Sequence, residues 1–113
     1  MDEMVKESLE SYLGYIERIP GGCQQIVDYL REDRILEAGR MIAQFSEGLI
    51  WLVDMNKLLL PYNVIELLQE QKIYEFLNEV NKGLEIQDFV LVADMFEYEI
   101  KPFFEEQWES LAN

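Results

Sequence analysis

The residues best equipped for chemistry stand close together near the C-terminus, in "DFVLVADMFEYEIKPFFEEQW" (88–108). Asp88, Asp94, Glu97, Glu99, Glu105 and Glu106 are the carboxylates that could hold Mg²⁺ or Ca²⁺, or work as an acid and a base. Their spacing argues against both. Glu97 and Glu99 lie two apart on a helix and diverge, Asp94 and Glu97 are the close pair, and no EF-hand loop is present. Two carboxylates on one face without a third ligand are most often a solvated face. The chain has no histidine, which removes the commonest general base, the Ser-His and Cys-His dyads, and the Glu-x-x-His spacing of di-iron bundles. Zinc would lack nitrogen ligands and sufficient thiolates, since Cys23 is the single cysteine. "PGG" at 20–22 and the glycines at 14, 39 and 48 match neither a P-loop nor a dinucleotide fingerprint. Cys23 follows Gly22 at an expected helix start, where the dipole can lower a thiol pKa. It also shares an apolar side with Ile26 and Val27, so a buried structural cysteine is the expectation. No catalytic residue, metal or cofactor is expected.

The chain totals bound the remaining classes. With 113 residues, half of them hydrophobic, the whole chain (1–113) reads as a single helical domain with one real core. The formal charge is −14, and residues 61–113 hold twelve acids against three lysines. Such a surface repels phosphate backbones and anionic lipid, so neither nucleic acid nor membrane is an expected partner, whereas a basic protein partner is compatible. One cysteine, a charged N-terminal "MDEMVKESLE" without an apolar h-region, and no long apolar run together predict a cytoplasmic protein.

Helices must position whatever these residues do. Val5, Leu9, Tyr12, Leu13, Ile16 and Ile19 recur at three-and-four spacing, and "PGG" at 20–22 is expected to end that helix. A short helix with Cys23, Ile26, Val27 and Leu30 follows. Asp33 then caps a long helix over 34–59 with the stripe Ile35, Ala38, Ile42, Phe45, Leu49, Leu52 and Leu59, closed by Pro61. Asn63 with Glu66 reads as a capping box, with Tyr62 stapling Leu67. The phase then breaks, because Val64, Ile65, Leu67 and Leu68 point nearly opposite to Ile73, Phe76, Leu77, Val80 and Leu84, so a bend is expected near 69–72. Gly83 is a C-terminal stop signal, and Asp88 caps the last helix, which must bend or restart at Pro102. "DRILEA" (33–38) and "DFVLVA" (88–93) share Asp, Leu and Ala at matching offsets, which reads as shared helix-start grammar rather than a repeat. The predicted fold is all-α: one antiparallel bundle-like domain of about five helices with the last helix central.

Two helices carry a second apolar side. The last has Phe89, Val92, Ala93, Phe96, Ile100, Phe103 and Leu111 in its main stripe, and Leu91, Met95 and Tyr98 nearly opposite. The long middle helix adds Trp51, Met55 and Leu58. A helix apolar on two sides is either sandwiched within the domain or offers one side to a partner.

The segment "DFVLVADMFEYEIKP" resembles that of a family of short, acidic, all-helical proteins from Gram-positive bacteria, described as a domain of unknown function. The resemblance rests on Asp88, Ala93, Asp94, Glu97, Tyr98, Glu99 and Pro102, and on "LREDRILEAGRMIAQFSEGL" (30–49) with Asp33, Ala38 and Gly48. It covers about two thirds of the chain and departs at "IKPFF", which is more aromatic. The resemblance implies an all-helical fold and no established activity, and it gives the acids no role.

The expected function is a non-enzymatic interaction module with an apolar helical surface rimmed by carboxylates. Its partner would be an amphipathic basic helix or a second copy of the chain, forming a homodimer, with Leu91, Met95, Tyr98, Trp108, Trp51 and Met55 as contact residues. The alternatives are a small acidic helical export chaperone, by analogy of size, charge and fold, and a carboxylate metal-binding protein.

Overall fold

The apolar residues of the N-terminal segment keep one phase straight through Pro20, Gly21 and Gly22, and the backbone follows that phase rather than the breakers. In the computed structural model, which describes residues 2–112, helix α1 runs uninterrupted over Glu3–Arg31. Val5, Tyr12, Ile16, Ile19, Cys23, Ile26, Val27 and Leu30 are all buried along one side. Pro20 leaves the Ile16 carbonyl without its helical donor, at about 3 kcal/mol, and each glycine costs about 1 kcal/mol more. Four buried side chains beyond the glycines outweigh that, since each contributes roughly 1.5–3 kcal/mol. The expected first and second helices are therefore one, and the described residues form four helices rather than five.

Helix α2 spans Ile35–Leu59, and a 3₁₀ turn over Leu60–Tyr62 closes it. Asn63 does not start a helix. It takes a left-handed conformation (φ 58°) and ends the 3₁₀ turn, and residues 63–69 cross the end of the bundle without helical structure. Tyr62 and Leu67 are both exposed, so no staple forms. This crossing is the physical origin of the phase break: Val64, Ile65 and Leu68 belong to a linker, and α3 begins afresh at Glu70–Glu85 with Ile73, Phe76 and Val80 inside.

Helix α4 starts at Phe89–Met95, widens into a π-helical turn over Phe96–Ile100, and continues over Lys101–Ala112. The widening answers Pro102. The proline has no N–H and its ring crowds the carbonyl one turn back, whereas in the π turn the Lys101 N–H donates five residues back to the Phe96 carbonyl. The extra residue in that turn moves the next core position from Phe103 to Phe104, which is fully buried. Phe103 instead meets Phe76 of α3 edge-on at 5.3 Å.

Two tight turns have the same construction. After α1, the Arg34 N–H donates to the Tyr29 carbonyl and the Asp33 N–H to the Leu30 carbonyl, with Asp33 at φ 60°. After α3, the Asp88 N–H donates to the Gly83 carbonyl and the Gln87 N–H to the Leu84 carbonyl, with Gln87 at φ 57°. Both are Schellman motifs closed by a non-glycine left-handed residue. Asp33 is thus the end of α1, not the cap of α2, whose cap position, Arg34, makes no side-chain cap bond. Asp88 does cap α4, accepting from the Leu91 N–H at 3.1 Å. The equivalent positions are Asp33 with Gln87, so the "DRILEA" and "DFVLVA" likeness is one residue out of structural register.

Contacts set the arrangement. Tyr12 meets Asn56 and Tyr15 meets Trp51 across α1 and α2, while Arg31 meets Asp94 and Gln24 meets Lys101 across α1 and α4. The partner numbers fall along one element as they rise along the other, so both pairs are antiparallel. Helix α4 lies between α1 and α3, and Phe45 of α2 reaches Phe96 edge-on at 5.2 Å. Gly83 lies inside α3, not at its end, and the close approach of Val92, 2.6 Å from where a Cβ would stand, is what requires a glycine there. The molecule measures 47 × 22 × 22 Å, its long axis matching the ~44 Å of α1 at 1.5 Å per residue.

Candidate interaction surfaces

The core stripe of α2 turns Ile42, Phe45, Leu49, Leu52, Val53 and Leu59 inward. At 100° per residue this leaves Trp51 and Leu58 on roughly the opposite side, with Met55 on the flank. Trp51 is 37% exposed and Leu58 66%, with Met55 half-buried between them. Trp51 stands edge-on to Tyr15 of α1 at 5.7 Å. Gly48 makes room for this pair, since a Cβ there would run into the Tyr15 hydroxyl. Glu47 and Asp54 are exposed beside the stripe, and Tyr62 is exposed just past the helix end.

The second line of α4 has a different fate. Tyr98 is 67% exposed and Leu91 39%, but Met95 between them is buried, at 7%. Met95 faces α3 in a recess with Phe76, Glu79 and Glu99. The two-sided character of the last helix is therefore absorbed largely by α3. Trp108 is half-buried and packs against the core. The six expected contact residues do not form one patch: Trp51 lies on the outward side of α2 with Met55 on its flank, whereas Leu91 and Tyr98 flank a buried Met95.

The carboxylates sort by partner. Asp94 and Glu97 receive the Arg31 guanidinium at 3.1 and 3.2 Å, tying the end of α1 to α4. The hydrogen bond to Asp94, with Glu97 beside it, holds Arg31 even more firmly protonated than usual. Glu97 also pushes the exposed Tyr98 phenol up. Glu99, Glu105 and Glu106 face solvent. Among the described residues no group of three or more acids or cysteine comes together as a metal site. Cys23 is buried, and burial above all pushes its thiol up to about 12, so it stays protonated and unreactive at neutral pH.

One polar device escaped the sequence reading. Asn56 is buried, and its amide donates to the Tyr12 hydroxyl and to the Glu66 carbonyl, both at 2.9 Å. Its carbonyl accepts from the Leu68 N–H at 3.1 Å. One side chain thus satisfies two backbone groups of the linker and joins α1, α2 and the crossing segment. The Tyr12 phenol is pushed up by the same burial, with Asn56 offsetting part of it. A signal was present: Asn56 occupies an in-phase position between Leu52 and Leu59 in an otherwise apolar stripe.

Fold and surface together define an all-helical four-helix bundle whose polar interior is structural. Among the described residues, no helix is long and apolar enough to cross a membrane. The chain belongs to the DUF8042 family, a domain of unknown function whose pattern spans residues 7–110. The likeness to a family without an assigned role is borne out at that level. No curated protein and no solved structure matches the chain.

Proposed function

We propose that this is a non-enzymatic, cytoplasmic bacterial interaction protein that receives a basic amphipathic helix on the outward side of α2. The observation that supports the reading is the pair Trp51 and Leu58, apolar and exposed on a helix whose core stripe is already complete, with Met55 half-buried between them and packed against the core. Helix-in-groove recognition uses anchors at this spacing, and Trp is the residue type most enriched among energetic hot spots. Glu47 and Asp54 beside the line, on a chain of charge −14, favour a cationic partner. The same charge disfavours a second copy, because like surfaces repel. Leu91 and Tyr98 form a lesser second contact area.

A synthetic amphipathic helix with leucines on one face and lysines on the other tests this, titrated while the fluorescence of Trp51 is followed, with Trp51→Phe and Trp108→Phe variants separating the two indoles. Saturable binding that Leu58→Glu weakens by about tenfold or more supports the reading. A protein that ignores the peptide counts against it. Binding that Leu58→Glu leaves unchanged moves the surface elsewhere. An export chaperone would additionally hold a helical export substrate soluble on co-expression, which a plain docking module would not.

A further inference from the structure

The Pro-Gly-Gly stretch of α1 has no local reason to be there. None of the glycines has a positive φ, and a Cβ added at Gly21 or Gly22 would meet nothing within 4 Å. Neither the backbone nor a neighbour demands a missing side chain, yet each glycine weakens the helix by about 1 kcal/mol relative to alanine. What the missing side chain of Gly22 does leave is space. Gly22 is the bare wall of a groove of about 380 Å³ between α1 and α2. Ile19 and Ile26 flank it on α1, and Met41 and Phe45 face it from α2. Small-molecule sites begin at roughly 300 Å³ and combine apolar walls with a few placed polar groups.

The charged member of the lining, Arg18, stands toward one end. Arg18 and Gln44 line the groove on opposite helices, next to Tyr15. The Arg18 guanidinium reaches back along α1 to within 3.8 Å of where a Gly14 Cβ would be; burial pushes the Tyr15 phenol up, and Arg18 offsets only part of that. Among the described residues Arg18 takes no ion pair, although the chain carries 23 acids, and neither Arg18 nor Gln44 spends its side chain on a hydrogen bond. Arg18 and Ile26 are eight residues apart, or ~12 Å along the helix axis. The groove is thus polarised, with a free guanidinium at one end and a largely apolar trough running away from it, Gln44 standing on the opposite wall.

We infer that the groove between α1 and α2 binds a free medium-chain carboxylic acid, its carboxylate on Arg18 and its alkyl chain along Gly22 between Ile26 and Met41. An arginine fork matches a carboxylate in geometry as well as charge. The net negative charge of the protein slows such a ligand but does not bar it, since at about 0.15 M salt charges beyond ~8 Å are largely screened. The site is distinct from the outward stripe of α2, and the inference does not rest on the partner proposed for that stripe.

Amide-resolved NMR titration with decanoate, kept below its micelle concentration at physiological salt, tests this, with decanol as the uncharged control. Saturable shifts at Ile19, Gly22, Ile26 and Met41 are expected. Arg18→Gln should weaken decanoate about tenfold while leaving decanol unchanged, the loss expected for one charge-assisted contact. Gly22→Leu should abolish both, and a melting curve checks its fold; Met41→Trp fills the trough from the other wall if Gly22→Leu does not fold. The inference is overturned if no groove amide shifts saturably, if Arg18→Gln affects both ligands alike or neither, or if a filled groove binds as before. A peptide ending in leucine that binds this groove more tightly than decanoate overturns it as well, by assigning the site to a chain terminus.

Discussion

Pro20–Gly22 and Leu60–Asn63 carry much the same local signals, a proline beside residues that favour turns, and the backbone treats them in opposite ways. The first lies inside α1, which continues to Arg31, and the second ends α2. Local propensity does not separate them. Phase does: Ile16, Ile19, Cys23, Ile26 and Leu30 form one stripe across the glycines, so continuing the helix buries every one of them. After Pro61 the next apolar residues, Val64, Ile65 and Leu68, fall well off the α2 stripe, so a continued helix would expose them. Pro102 is an intermediate case, where the helix persists by widening one turn. A breaker breaks a helix only where the helix has nothing further to bury.

Variants can break that comparison, and the largest effect belongs to the widened turn. If the π turn sets the register, Phe104→Ala should destabilise by about 4 kcal/mol in urea unfolding, and Phe103→Ala by clearly less, because Phe104 is fully buried and Phe103 only half. Equal losses would mean that the turn does not shift the core face. Next comes the anchor that holds the broken region. Asn56→Leu strands the Glu66 carbonyl, the Leu68 N–H and the Tyr12 hydroxyl, and should cost about 3 kcal/mol, with faster hydrogen exchange at the Leu68 amide as its specific mark.

The prolines themselves should then differ in sign and size. Pro20→Ala restores a donor to the Ile16 carbonyl and should stabilise by about 2 to 3 kcal/mol. Pro61→Ala should change stability by no more than about 0.5 kcal/mol, since Pro61 sits in the first turn of a 3₁₀ segment, where the N–H that proline lacks leaves no bond of that turn unmade. Similar values for the two would remove the distinction. The smallest effect lies at the turn after α3: Gln87→Gly relieves a left-handed glutamine and should raise stability by about 1 kcal/mol, read as a shift in the denaturant midpoint at unchanged slope.

Much of the architecture was legible in single residues. The Asp88 cap, the long α2, the inward stripes of α1 and α2, the burial of Cys23 and the break near 69–72 all follow from periodicity and cap chemistry. The number of helices did not, because Pro20 and the two glycines carry a local stop signal that only burial of the in-phase stripe on either side overrides. The capping box at Asn63 misled because Asn serves the left-handed residue of a turn as readily as a helix start. Of the candidate surface, the outward line of α2 was visible at 51, 55 and 58. The groove beside Gly22 was not, since spacing on one helix cannot show what stands across from it.

Taken alone, the order of residues determined which faces are apolar, where charge accumulates, and which chemistries lack their groups, because these are properties of composition and of a fixed helical period. The tertiary structure decided three things. It continued α1 through its breakers, it covered Met95 with α3 while leaving Trp51 and Leu58 uncovered, and it made Asn56 a support for the linker. In each case the outcome depends on a neighbour far along the chain, whose burial or hydrogen bond outweighs a local preference of a few kcal/mol.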